Sequence, residues 1–100
     1  KAAKAGKICV FGTGLPGEAG PYMEKDAITG IAFWDPKDAG LAMNNVAKML
    51  LEGKTIENGT DLGVPGYDKV TVEKGPGKGM IIRGAGWVRV DKSNYKQYNF

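Results

Sequence analysis

Two groups of residues are of types that do chemistry. Gly12-Thr13-Gly14-Leu15-Pro16-Gly17 has the spacing G-x-G-x-x-G and follows an apolar run at residues 7–11. In dinucleotide-binding folds such glycines let a pyrophosphate approach a helix N-terminus, and an acid after the next strand holds the ribose. Asp35 closes the next apolar run at close to the required spacing. The second group is the pair Trp34-Asp35. An aromatic face beside a carboxylate is how proteins hold sugars: the ring packs on C–H faces and the carboxylate accepts hydroxyl hydrogen bonds. A plainer reading makes Trp34 a core residue and Asp35 a helix cap. Position favours binding, because ligands of open α/β sheets sit outside the carboxyl ends of the strands. Thr13, Leu15 and Pro16 stand at that end of the first run, on the same edge as Trp34 and Asp35.

The dinucleotide reading meets three objections. Pro16 removes a backbone donor where phosphate would dock. Asp35 runs into Pro36 and a helix, so capping already explains it. The third parallel strand of a mononucleotide half does not follow, since residues 55–66 hold the turn signals Asn58-Gly59 and Pro65-Gly66. Gly75-Pro76-Gly77-Lys78-Gly79 lacks the glycine spacing and the Ser or Thr of a phosphate loop, and reads as a hairpin turn. Asn58-Gly59-Thr60 matches a glycosylation acceptor but is accounted for by a turn.

Other chemistry is thin. The 100 residues contain no histidine and one cysteine. Ser-His-Asp and Cys-His catalysis, His-ligated metals and an internal disulfide are excluded. Cys9, within an apolar run and with no basic neighbour in sequence, reads as a small buried hydrophobe. Acid–base catalysis needs two converging carboxylates, and only Asp35 ends a buried run. No catalytic residue, metal site or cofactor is expected, and the chain reads as a non-enzyme. The net charge of +3 comes from 14 basic and 11 acidic residues. Their signs alternate along most of the chain, which argues against a nucleic-acid partner.

The elements that must position these residues follow from pattern. Residues 7–11 read as a strand buried on both faces, 12–17 as a tight loop, and 18–25 as a short helix with Pro21 in its first turn. A second strand spans 28–34. Asp35-Pro36-Lys37-Asp38 opens a helix over 36–52 with a cap, a first-turn proline and an acid near its positive end. Ala39, Met43, Val46, Ala47 and Leu50 form its apolar stripe, and Gly53 closes it. Short strands are expected at 69–74, 80–83 and 87–90, with one helical turn within 91–98. Lys1-Ala2-Ala3-Lys4-Ala5-Gly6 reads as the last turn of a helix whose start is missing, so that residue 1 is a cut edge.

The run GTGLPGEAGPYMEKDAITGIAFWDPKDAGLAMNNVAKMLLEGK resembles the C-terminal part of periplasmic sugar-binding proteins of ABC importers. Within these type 1 periplasmic binding proteins, the rhamnose-binding and autoinducer-2-binding members are the most similar. The matching elements are Leu15-Pro16, the Pro21-Tyr22 helix, the strand ending in Trp34-Asp35, and Gly40 early in the next helix. The ending RVDKSNYKQYNF is also similar. The resemblance implies an α/β fold, a fragment of a two-lobed protein with Rossmann-like parallel sheets that ends in short strands. Residues 1–33 would belong to the C-terminal lobe and 34–36 to a hinge crossing. Residues 37–60 would carry a helix packing on the other lobe, and 61–100 a tail of short strands returning across the hinge.

The implied function is capture of a sugar or sugar-like signal in an interlobe cleft and delivery to a membrane ABC permease. Trp34, Asp35, Thr13, Leu15 and Pro16 would be the ligand-binding residues. The location would be periplasmic or exported, a cell-envelope lipoprotein included. In such an arrangement the 36–52 stripe has no partner within the chain, and would pack on a missing upstream part or on a second copy. The competing expectation is a dinucleotide-binding fragment of an NAD(P)-dependent enzyme.

Overall fold

The structure is a computed structural model that describes residue 2 and residues 6–100. In order, the elements are β1 (Phe11–Thr13), α1 (Pro16–Glu24), β2 (Gly30–Trp34), α2 (Pro36–Leu51), β3 (Thr71–Lys74), β4 (Met80–Arg83) and β5 (Trp87–Asp91). A 3-10 turn follows at Tyr95–Gln97. The fold is mixed α/β. β1, β2 and β5 form a three-stranded sheet in that order, and β3 and β4 a separate two-stranded one. β1 and β2 are parallel, with Phe11 opposite Gly30 and Thr13 opposite Ala32. β3 and β4 are antiparallel, with Thr71 opposite Arg83. The helical turn expected over residues 1–6 falls mainly on residues 1 and 3–5, outside the described residues.

The chain divides into two compact units, Lys1–Phe33 with Val88–Phe100, and Trp34–Trp87. Each has its own core. In the first, Ala19 and Met23 of α1 bury against Ile31, Phe33 and Val90 of the sheet, flanked by Tyr95 and Tyr98. Phe33 packs edge to face on Tyr98 and Phe100, at centroid distances of 5.2 and 5.4 Å. In the second, Ala42, Val46 and Met49 of α2 pack with Ile56, Leu62, Val64 and Val70. Asn45 Nδ2 anchors that layer by donating to the Leu62 carbonyl at 2.7 Å.

Several expectations are corrected. The first strand is shorter and later than residues 7–11, because its parallel partner starts only at Gly30 and pairing therefore begins at Phe11. It is not buried on both faces: Phe11 is 70% exposed. Cys9 lies before the strand and is exposed, not buried. The helix after the glycine loop begins at Pro16 and ends at Glu24, so Pro21 sits inside it and not in its first turn. Proline at the first helical position has no N–H to leave unpaired, which is why Pro16 can start the helix. β2 starts at Gly30, two residues late.

The covered side of α2 also differs from the expected stripe. Ala42 is its buried residue, with Val46 and Met49 beside it. Met43 and Leu50 point away, 71% and 56% exposed. α2 thus has a partner within the chain, the segment from Ile56 to Val70, on a face rotated from the predicted one. Residues 61–87 lie in the unit that contains α2, and Val88–Phe100 in the other.

Candidate functional site

Asp35 is the N-cap of α2. Its backbone is extended (φ −70°, ψ 118°), and its Oδ1 accepts the Lys37 N–H at 2.8 Å. Pro36 follows at the first helical position. The cap bond fixes the carboxylate at the carboxyl end of β2, and only one of its two oxygens is needed for it.

Trp34 precedes it and is 52% exposed. Its indole meets that of Trp87 at a centroid distance of 5.5 Å and an interplanar angle of 88°. Trp87 is the first residue of β5 and is 56% exposed. The two rings line a shallow recess of about 290 Å³ with Tyr67, Ala39, Gly84 and Gly86. Two perpendicular indoles form a corner with accessible π-faces, the surface on which the C–H face of a sugar packs.

The other predicted residues belong to the first unit. Thr13 ends β1 and is exposed, and Leu15 is the N-cap of α1, 41% exposed. Both line an apolar recess of about 280 Å³ together with Phe11, Glu18 and Tyr22. Pro16 is fully buried, so its ring presents no surface to a ligand. Within the units, then, Trp34 joins Asp35 and Thr13 joins Leu15, while Pro16 serves to start α1.

The same loop bears on the dinucleotide reading. Phosphate would need free N–H groups in the first turn of α1. Pro16 has none. Gly17 donates to the Phe100 carbonyl at 2.9 Å, and Glu18 and Ala19 donate to the Leu15 carbonyl at 3.2 and 3.0 Å. A Cβ on Gly17 would lie 3.3 Å from the Phe100 carbonyl carbon and oxygen. The glycine therefore serves the approach of the chain's own C-terminal segment, and the first turn has no donor left for pyrophosphate.

Sequence reasoning missed Trp87 and Tyr67. The signal was present in Gly84-Ala85-Gly86-Trp87: two glycines spaced by one residue, next to an aromatic strand, mark a place where a ring or backbone comes close. Among the described residues no group of three or more His, Cys, Asp or Glu side chains is placed to hold a metal ion. Among the described residues no helix is long and apolar enough to cross a membrane. No family model matches the chain.

Proposed function

We propose that the chain belongs to a solute-binding protein for ABC-type import, which captures a sugar or sugar-like signal and delivers it to a membrane permease. The observation that carries this reading is the Trp34–Trp87 corner, half exposed, with the capped Asp35 carboxylate next in sequence. It combines the apolar platform and the charged acceptor that sugar recognition uses. The two passages of the chain between its units, at residues 33–34 and 87–88, fit a two-lobed binder. The protein would act in the periplasm or at the cell envelope, by binding and release, with no covalent step. Closure on ligand would be a population shift driven by contacts the open state lacks.

The test is titration of the full chain with D-ribose, D-xylose, D-galactose and L-rhamnose, followed by tryptophan emission and calorimetry. Saturable binding of at least one, weakened about tenfold or more by Trp34→Ala, is expected; tenfold is about 1.4 kcal/mol. The absence of heat and of any emission change with all four sugars overturns the reading.

A further inference from the structure

The recess beside the two indoles has a third aromatic wall, Tyr67, whose place is set by its neighbours. Its backbone is pinned on both sides: its N–H donates to the Val64 carbonyl and its carbonyl accepts the Leu62 N–H, each at 2.9 Å. Gly66, at φ +79°, turns the chain into it, and the Gly66 carbonyl accepts the Ala85 N–H at 2.6 Å. That bond brings Gly84-Ala85-Gly86 against the ring. A Cβ on Gly84 would overlap the Tyr67 ring, and one on Gly86 would lie 2.7 Å from its Cε2 and 2.9 Å from its hydroxyl oxygen. Both positions therefore need glycine for the ring to stand where it does.

The ring is half-buried against the second core. Among the described residues no buried polar side-chain atom goes without a partner, and none of their side-chain hydrogen bonds involves the Tyr67 hydroxyl. It is an accessible donor and acceptor in a recess otherwise lined by indoles, alanine and glycine.

We propose that Tyr67 is a specificity-determining residue of this recess: its ring forms the wall that Gly84 and Gly86 make room for, and its hydroxyl bonds a ligand oxygen lying against the indoles. The inference rests on the sugar-binding reading above. An aromatic corner takes C–H faces with little regard to hydroxyl pattern, whereas a fixed hydroxyl selects the orientation in which a sugar oxygen meets it.

The experiment compares wild type, Tyr67→Phe and Tyr67→Leu with D-ribose, D-xylose, D-galactose and L-rhamnose as probes, by tryptophan emission and thermal unfolding. Tyr67→Phe keeps the wall and removes only the hydroxyl. It should bind the tightest of the four about tenfold more weakly, with an unchanged Tm. Tyr67→Leu should lose more affinity and shift the tryptophan emission to the red. Wild-type affinity in Tyr67→Phe overturns the inference and leaves the sugar reading standing. Failure of the wild type to bind any of the four overturns that reading, and the inference with it.

Discussion

Trp34 and Trp87 meet edge to face, 5.5 Å between ring centroids and 88° between planes, although they lie 53 positions apart in the chain. Each keeps more than half of its surface exposed. Their contact is therefore a specific ring–ring interaction more than a burial effect. Such pairs contribute roughly 0.5–1.5 kcal/mol beyond area. A double-mutant cycle on Trp34→Ala and Trp87→Ala should show a coupling of about 1 kcal/mol in denaturant unfolding. Strictly additive losses would mean that the rings do not meet in solution.

The observed capping by Asp35 and its proposed contact with a sugar can be separated by substitution. Asp35→Ala removes the cap and should cost about 1 kcal/mol of stability, whereas Asp35→Asn keeps a good cap and should cost little. Sugar affinity should fall in both, because asparagine lacks the charge that strengthens a hydroxyl hydrogen bond. Calorimetry that finds Asp35→Asn binding like wild type would retire the carboxylate as a contact and leave only the cap.

Acid should loosen the C-terminal segment. Glu24 Oε1 accepts the Lys96 ammonium at 2.9 Å and the Tyr95 hydroxyl at 2.7 Å. The Lys96 hydrogen bond foremost, and then that of Tyr95, hold the Glu24 carboxyl below its ordinary value of 4.5. A lowered folded value means that the contribution is full above pH 4.5 and is lost as pH falls through the lowered value. Glu24→Gln should be less stable than wild type at pH 7, by a small margin because the groups are exposed, and the two should converge in acid. A gap that stays constant down to pH 2 would assign it to packing and not to charge.

The outward face of α2 should make the chain associate. Met43 is 71% exposed and Leu50 56%, and both line an apolar groove with Ala47 and Leu62; Leu51, next in sequence to Leu50, is 90% exposed. Contiguous apolar surface of this kind is seldom left open to water. Light scattering should show a mean mass that rises with concentration, and Met43→Glu with Leu50→Glu should return it toward the monomer. A wild type that stays monomeric at millimolar concentration would contradict this.

Legibility of the fold differed by element. α2 was readable because its start is set locally, by Asp35 and Pro36, and its stop by Gly53, at φ +72°. Local signals did not say which side is covered: the periodic stripe marks apolar residues, and the partner segment from Ile56 to Val70 chose Ala42 over Met43. β1 was misplaced because a strand's limits belong to the partner as much as to its own residues. The candidate site was half legible. Trp34 and Asp35 stand together in the sequence, but Trp87 and Tyr67 come to them only through folding. Their signature was the absence of side chains at Gly84 and Gly86, which composition registers only as two more glycines.

The division of the chain has a consequence for the order of its formation. The Trp34–Trp87 unit is one uninterrupted stretch, whereas the other is split around it and draws Val90, Tyr98 and Phe100 from its second piece. During vectorial synthesis the inner unit can complete its core while Phe33 still waits for its aromatic neighbours to leave the ribosome. The bond from the Gly17 amide to the Phe100 carbonyl, which ties the two pieces of the split unit together, can form only after both pieces have been made.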